Sequence, residues 1–331
     1  MKLNYIIDFS KWKEGNLLDI KDWLEKTILQ KITRKPFRKQ KLSEKWKNDI
    51  MFSIINRIKE KKPLNIVLLF WGYKHFWNSS SPEVDWAELF FIDHIIEWLK
   101  PILSIYKPGI IFTFASEDII LDVMNWYNIE DLEKYSNSFN DMLDKIKKYF
   151  PSNFKIEYIR MGKDIYNGEF VKKEVLSLVD ERIKEFEDKD EEYQKQYLYR
   201  TKRNINKSNI TLEDEIRAKM IEDVFYEVEE KYSEIFFTDD KIYITLTWWK
   251  SKEENIFEWL SIWSTRASIV DFWIWKWILE DNWNKIIKKI VSQNQFKCIK
   301  DKLKINYITE NIFENKNFDK LDLLSTKLEI I

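Results

Sequence analysis

The stretch "NIVLLF", residues 65–70, decides the fold, because it has the pattern of a strand that is buried on both faces. Five of its six residues are apolar, which is typical of a strand inside a parallel sheet. Pro63 ends the helical pattern before it, and the polar segment "WGYKHFWNSSSPEVD" (71–85) follows. The pattern predicts a core strand whose carboxyl end opens into a long loop.

Similar strands recur along the chain and alternate with amphipathic helical patterns, one near residues 84–100 and one at 130–149. The further candidate strands are "IIFTFA" (110–115), "FKIEYIR" (154–160), "KIYITLT" (241–247) and "ASIVDFWIW" (267–275). This alternation predicts βαβ units and a Rossmann-like α/β fold with a mostly parallel sheet flanked by helices. Right-handed crossovers then place the loops after residues 70, 115 and 160 along one edge of the sheet.

The chain is interpreted as a single α/β domain covering residues 1–331, because neither an internal repeat nor a linker is visible. Its parts are a helical N-terminal segment (1–62), a Rossmann-like core (63–169), a charged helical insertion (170–238) and C-terminal strands and helices (239–331). The acidic run "EFEDKDEEYQKQ" inside the insertion is expected to form a solvated face rather than a metal site.

The overall charge favours neither a nucleic-acid nor a membrane partner, since 55 Lys and Arg balance 56 Asp and Glu. No stretch reaches the roughly 20 apolar residues of a membrane helix, and the N-terminus lacks the apolar run of a signal peptide. Cys298 is the single cysteine, so an intrachain disulfide is impossible and a reducing compartment is expected. We expect a cytoplasmic protein, and these features leave its oligomeric state undetermined.

Glycine is rare and tryptophan is abundant, with 5 and 16 residues respectively among 331. Glycine normally makes up about 7% of a protein and occupies positions of positive φ. We hypothesise an alternative genetic code, in which several of these tryptophans are UGA codons that the source organism reads as glycine. The candidates are Trp71, Trp126, Trp273, Trp275, Trp277 and Trp283, four of them in "DFWIWKWILEDNW" (271–283). The alternative is a tryptophan-rich core, which would suit Trp23 and Trp98.

Three polar clusters follow strand ends, where open α/β sheets bind their ligands. The first cluster consists of Gly72, Tyr73, Lys74, His75, Asn78, Asp85 and Glu88. If Trp71 is glycine, the loop opens with two glycines whose amides can approach a phosphate or carboxylate. Lys74 is either a ligand-binding residue or part of a surface ion pair. His75 is not expected to bind a metal, because no second histidine or cysteine lies nearby.

The second cluster is "SED", residues 116–118, at the end of the next strand. The adjacent carboxylates of Glu117 and Asp118 can orient an amine or hydroxyl, and one of them can serve as a general base if its pKa is raised. The alternative is structural, with Ser116 as the N-cap of a helix that carries acids in its first turn.

Ser264, Thr265 and Arg266 form the third cluster. The guanidinium of Arg266 either recognises a phosphate or carboxylate or forms a structural salt bridge. The chain contains no Walker loop, HExxH, paired CxxC or GxSxG motif. No metal site is therefore expected.

The first two clusters lie within residues 66–143, which resemble the isonitrile (isocyanide) synthase, or pyoverdine/dityrosine biosynthesis, family. That family has a Pro-Phe-Lys-Ser-x-Asn loop, an Asp-x-Gly-Glu helix start, a Tyr-x-Pro-Gly turn and a strand that ends in Ser-Asp-Gly. Lys74, Asn78 and Glu88 match the loop and the helix, while "YKPG" and "SED" match the turn and the strand end. The chain departs from the pattern in a longer loop with His75 and Phe76 inserted, and the family's later histidine motif has no clear match.

The resemblance implies an enzyme that condenses the amino group of an amino acid with the carbonyl of a pentulose phosphate and converts it to an isonitrile. Lys74 and Arg266 would then bind phosphate or carboxylate, and Glu88, Glu117 and Asp118 would transfer protons. No cofactor is implied. The alternative is a non-catalytic α/β protein that binds an anionic small molecule or a partner segment. A nucleotide- or S-adenosylmethionine-dependent transferase is less favoured, because no acidic residue ends the first strand and no spaced glycine motif follows it.

Overall fold

The structure is a computed structural model. It describes residues 12, 23–38, 42–70, 72, 84, 86–198, 201, 205, 207, 209–246, 260–262, 276–281, 286–291, 303–304 and 329–330. The helices are α1 (Leu24–Ile32), α2 (Glu44–Glu60), α3 (Trp86–Leu103), α4 (Leu121–Met124), α5 (Ile129–Ile146), α6 (Gly168–Glu187), α7 (Glu191–Leu198) and α8 (Leu212–Ser233). The strands are β1 (Leu64–Phe70), β2 (Ile110–Ser116), β3 (Phe154–Arg160), β4 (Lys241–Thr245), β5 (Leu260–Ser261), β6 (Lys276–Asp281), β7 (Ile286–Val291), β8 (Leu303–Lys304) and β9 (Glu329–Ile330).

The central sheet is parallel and has the strand order β3-β2-β1-β4-β5. The chain moves from β1 to β2 and β3 on one side, then returns across the sheet to β4 on the other side of β1. Such a reversal between β1 and β4 is a topological switch point, beside which α/β proteins bind ligands. The predicted Rossmann-like α/β fold is confirmed. The candidate strand at 267–275 lies outside the described residues.

The first helical layer, made of α1, α2, α3 and α5, covers one face of the sheet with apolar side chains. The buried residues of β1 on this face are Leu64, Ile66, Leu68 and Phe70. Phe114 of β2 contacts Phe139 of α5, with ring centroids 4.9 Å apart. Burial of these large rings stabilises the layer, because apolar surface removed from water contributes about 25 cal/mol per Å².

The second helical layer, made of α4, α6 and α8, covers the opposite face of the same sheet. Helix α6 contributes Val171, Val175 and Val179, whose spacing of four residues places them on one side of the helix. Thr211 and Asp214 form a capping box that begins α8. The helices predicted as an insertion therefore form the crossover from β3 to β4 and pack against the sheet. The acidic run 185–196 is mostly exposed to solvent, as predicted.

The described tryptophans include a core residue, Trp98, and two residues with positive φ, Trp23 and Trp126. Trp98 is fully buried and donates a hydrogen bond from Nε1 to the carbonyl oxygen of Ile32 at 3.0 Å, so its core assignment is confirmed. The core assignment of Trp23 is wrong, because its side chain is 63% exposed and its φ is 67°. Trp126, a candidate for recoding, also has positive φ, at 56°. The side chains of Trp71, Trp273, Trp275, Trp277 and Trp283 lie outside the described residues.

None of the helices in the described residues is long and apolar enough to cross a membrane.

Candidate functional site

The carboxyl ends of β1, β2 and β3 lie side by side, because the register pairs Phe70 with Ser116 and Ser116 with Arg160. The chain stays at this edge as it leaves β2, since the backbone N–H of Glu117 donates to the carbonyl oxygen of Phe70 at 3.1 Å. This carboxyl edge adjoins the switch point between β1 and β4 and carries the polar side chains that follow.

Gly72 approaches Ser116 and Tyr158 at the carboxyl edge. Its φ is +72°, and a methyl group on its Cα would lie 2.5 Å from Cβ of Ser116 and 3.2 Å from the hydroxyl of Tyr158. Only glycine fits such a conformation and contact without strain. The hydroxyl of Tyr158 donates to Oγ of Ser116 at 3.2 Å. The structure thus brings together two of the sequence-predicted residues, Gly72 and Ser116.

Ser116 does not cap a helix, so the alternative structural interpretation of this serine is wrong. The short 3₁₀ helix after β2 begins at Asp118, its N-cap is Glu117, and no side chain caps it. The hydroxyl of Ser116 instead donates to the carbonyl oxygen of Ile159 at 3.4 Å, while it accepts from Tyr158. Ser116 is therefore tied to β3 rather than to the following helix.

Asp118 lies beside Arg160, the last residue of β3, with Oδ2 and Nε 2.7 Å apart. The guanidinium also forms an ion pair with Glu133 of α5. Burial raises the pKa of Asp118 to about 6, although the neighbouring Arg160 opposes the rise. Burial lowers the pKa of Arg160, but the two carboxylates outweigh it and the pKa is raised overall. Asp118 can therefore gain or lose a proton near neutral pH.

Glu117 extends toward the second helical layer and interacts with Glu229 of α8. Both side chains are buried, with 6% and 4% of their surface exposed. Burial raises the pKa of Glu117 well above its ordinary value, and the charge of Glu229 raises it further. Burial also raises the pKa of Glu229, to about 7, while a 2.7 Å hydrogen bond donated by the hydroxyl of Tyr166 opposes that rise. Two buried carboxyl groups with raised pKa values thus lie where α8 approaches the end of β2.

Glu88 lies in the first turn of α3 and is 1% exposed. Its Oε1 accepts a hydrogen bond from the hydroxyl of Tyr135 of α5 at 3.3 Å, on the side of the first helical layer. The three predicted proton-transfer acids consequently have different partners: Glu88 has Tyr135, Glu117 has Glu229, and Asp118 has Arg160.

Four residues at the carboxyl edge were not predicted from the sequence, namely Tyr158, Arg160, Tyr166 and Glu229. A signal for Glu229 was available, because it lies four residues after the buried Phe225 and so falls on the apolar stripe of α8. An acid on a buried stripe needs a partner or a raised pKa. Arg160 is the last residue of β3. Glu117 and Asp118 were predicted as site residues because they follow the end of a strand, and the same criterion applied to β3 selects Arg160.

Eight further predicted site residues lie outside the described residues, and the structure says nothing of their contacts. They are Tyr73, Lys74, His75, Asn78, Asp85, Ser264, Thr265 and Arg266. Within the described part of the chain, no group of three or more histidine, cysteine, aspartate or glutamate side chains could hold a metal ion.

The comparisons with known proteins identify a similar fold. The chain matches no protein-family profile and no curated protein sequence. It is similar to the crystal structure of the PvcA protein from Pseudomonas aeruginosa, with a TM-score of 0.57 and 11% sequence identity. The match covers 86% of this chain and 96% of PvcA. The two proteins therefore share an α/β fold over most of their length.

Proposed function

We propose that this chain is an isonitrile synthase-like enzyme that joins the amino group of an amino acid to the carbonyl of a pentulose phosphate. The observation that carries the proposal is the set of buried, protonatable carboxyl groups at the carboxyl edge, formed by Glu117, Asp118 and Glu229. Such groups are expensive to bury, and they are characteristic of sites that move protons. The fold likeness to PvcA and the motif resemblance support the same family.

The first step of this chemistry is imine formation, and it requires an acid and a base. The amine nitrogen attacks the carbonyl carbon and one of its protons passes to the carbonyl oxygen, which gives a carbinolamine. The hydroxyl of the carbinolamine receives a second proton and leaves as water, and the iminium nitrogen then loses its remaining proton. Because burial and the charge of Glu229 raise the pKa of Glu117 well above its ordinary value, Glu117 is suited to protonate the leaving oxygen. Asp118, with a pKa of about 6, is suited to accept a proton from the nitrogen. Glu88 is a further proton carrier in this proposal.

The substrate is anionic, because it carries a phosphate and an amino-acid carboxylate. We assign Lys74 and Arg266 to these anions, with Asn78 and the backbone of Gly72 as hydrogen-bonding groups. Tyr73, His75, Asp85, Ser116, Ser264 and Thr265 complete the proposed substrate-binding set. We propose that the enzyme uses no cofactor, acts in the cytoplasm and has a small molecule as its partner.

The test is product analysis by mass spectrometry after incubation with ribulose 5-phosphate and a panel of amino acids. We expect an isonitrile with one amino acid or a few, and its loss in Lys74→Ala and Glu117→Gln. Glu181→Gln on the exposed side of α6 is the matched control and should retain activity. Turnover that survives in Glu117→Gln would contradict the assigned acid.

The second candidate function is non-catalytic binding of a small anion at the same loops. It becomes the better description if the wild-type protein forms no product from any amino acid yet binds ribulose 5-phosphate in a calorimetric titration. Product formation excludes it.

A further inference from the structure

Glu117, which follows β2, interacts with Glu229 of α8, an acid to which the proposed function gives no role. Glu229 accepts the hydroxyl hydrogen of Tyr166 through Oε1 at 2.7 Å. Among the residues that the structure describes, no side chain donates a hydrogen bond to the carboxyl of Glu117, which is only 6% exposed. Glu229 therefore has a partner that stabilises its charged form, whereas Glu117 keeps its hydrogen-bonding capacity for another molecule.

The groups around this pair add negative rather than positive charge. The charges of Glu117 and Glu229 act on Tyr166, which follows β3, and on Tyr226 of α8. Asp118 also acts on Tyr166, and Glu222 and Asp223 act on Tyr226. These acids oppose the loss of a second proton from the pair.

The cations of the neighbouring elements are held by other acids. Arg160 is paired with Asp118 and Glu133, and Lys172 of α6 is paired with Asp122 of α4. Lys219 of α8 lies 2.7 Å from Asp223 and 3.1 Å from Glu222. The pair is therefore not neutralised by these three cations, and one shared proton is the simplest way to hold two carboxyl groups in a buried site.

We propose that Glu229 is a positioning residue, which shares one proton with Glu117, and that Tyr166 fixes this proton on Glu117. The inference rests on the proposed function, in which Glu117 is the acid of imine formation. Glu117 gives its proton to the hydroxyl of the carbinolamine, and water leaves as the carbon–nitrogen double bond forms. The iminium nitrogen then loses its proton to Glu117, which is driven to accept it by the charge on Glu229. The step balances, with one water released and the pair returned to its starting state.

The shared proton can be tested without turnover, by following the carboxyl carbons of ¹³C-glutamate-labelled protein through a pH titration. In the wild type we expect one carboxyl of the pair to stay protonated above neutral pH. In Glu229→Gln the pKa of Glu117 should fall, since the neighbouring charge is gone. In Tyr166→Phe the pKa of Glu229 should rise. Glu227→Gln, on the exposed side of α8 and paired with Arg182, is the matched control and should leave the pKa of Glu117 unchanged.

An unchanged pKa of Glu117 in Glu229→Gln would overturn the shared proton. The reciprocal variant, Glu117→Gln, gives a second reading should the first variant fold poorly, and a fall in the pKa of Glu229 is the supporting result. An unchanged pKa of Glu229 in Glu117→Gln would contradict the shared proton.

The role in the reaction is tested by the pH profile of kcat. The descending limb of the profile, where Glu117 loses its proton, should move to lower pH in Glu229→Gln by as much as the measured pKa of Glu117 falls. Above the pKa of that limb, kcat should fall tenfold for each pH unit. Glu229→Asp should move the limb part of the way back, which a purely structural residue would not do. A lowered pKa with an unmoved profile overturns the positioning role alone. If the titration shows a shared proton but the wild-type protein forms no product, the proposed function is wrong and the shared proton is still supported.

Discussion

The two helical layers cover the same sheet with different side chains. The first helical layer packs aromatic and aliphatic residues against the sheet, as where Phe139 of α5 contacts Phe114 of β2. The second helical layer also buries apolar residues, but its α8 directs Glu229 toward Glu117 at the end of β2. Buried acids destabilise a fold, whereas buried rings stabilise it. The first layer also buries an acid, Glu88, which accepts a hydrogen bond from Tyr135, whereas Glu229 of the second layer lies near a second carboxyl group. The difference indicates that the electrostatic cost is larger in the second layer, at the carboxyl edge.

The largest expected loss of stability is where the first helical layer packs against β2. Phe114→Ala should lower the free energy of unfolding by about 3–5 kcal/mol, because it removes a fully buried ring and leaves a cavity. Urea denaturation measures the change. Phe52→Ala is the control, since Phe52 is 53% exposed, and it should cost much less. Equal losses of unfolding free energy in the two variants would contradict a stabilising role for the buried rings at this layer.

A smaller loss is expected where β1 meets the carboxyl edge. Gly72→Ala should cost about 2–4 kcal/mol, since positive φ and the 2.5 Å contact with Cβ of Ser116 both oppose a side chain. In the double variant with Ser116→Gly the contact is removed and part of this loss should be recovered. Thermal or urea denaturation of the single and double variants gives the coupling energy. Strictly additive losses would mean that the contact with Ser116 carries none of the cost.

The acids of the second helical layer should make stability depend on pH in a defined direction. Because the folded-state pKa values of Glu117 and Glu229 are raised, the folded protein keeps protons that the unfolded chain releases above its pKa of about 4.5. Their contribution to stability is present below that pH and is lost as the pH rises through the folded pKa, about 7 for Glu229. A pKa that is higher by one in the folded state than in the unfolded chain corresponds to about 1.4 kcal/mol.

Glu229→Gln should therefore be more stable than the wild type at pH 8 by about 1–3 kcal/mol and should lose this advantage at pH 4.5. Urea denaturation at the two pH values measures the difference. The half-buried acids Glu174 and Asp214, whose pKa values are lowered by their hydrogen bonds, act in both proteins and cancel in the comparison. A destabilised Glu229→Gln at pH 8 would show that the second layer needs the charge for its packing.

The smallest effect concerns the tryptophans with positive φ. Trp126→Gly should raise the free energy of unfolding by about 1 kcal/mol, because a left-handed backbone is strained for any side chain other than glycine. The gain is reduced by loss of the contact between the ring and Lys207, whose Nζ lies 4.8 Å from the ring centroid. Trp98→Gly is the control and should be strongly destabilising, since Trp98 is fully buried.

The same position tests our proposal that UGA codons specify glycine in the natural protein. Trp126 and Trp23 are two of the three residues other than glycine with positive φ in the described part of the chain. The gene should carry UGA at Trp126, and sequencing it is the direct measurement. A UGG codon there, or a loss of stability in Trp126→Gly comparable to that in Trp98→Gly, would contradict recoding at this position.

Much of the sheet was predictable from local patterns. The strand 154–160 was predicted with the bounds that the structure gives it, and the strands near 65–70 and 110–115 differ by one residue at an end. These strands are short apolar runs between polar segments, so the local pattern of residues is sufficient to identify them. The strand at 241–247 ends two residues early, at Thr245. The helices of 170–238 were recognised, but their packing on the sheet was not, because their high charge hides a narrow apolar stripe.

For the candidate site, the sequence could place Gly72, Ser116, Glu117 and Asp118 at strand ends, since the carboxyl ends of parallel strands share an edge. It could not choose between a capping serine and one bonded to β3, because the choice depends on where Tyr158 and Ile159 lie. The buried stripe of α8 marks Glu229, but the sequence does not show that this acid meets Glu117, and no motif marks Tyr166.

The sequence by itself determined that alternating apolar runs and amphipathic segments form a parallel α/β sheet, since these preferences act over a few residues. Only the tertiary structure decided which acids meet. The pKa of Glu117 depends on its burial and on the charge of Glu229, and both follow from the packing of α8 beside the end of β2. Because electrostatic interaction depends on distance and on the exclusion of water, the proton at the carboxyl edge is a property of the folded chain and not of any segment of it.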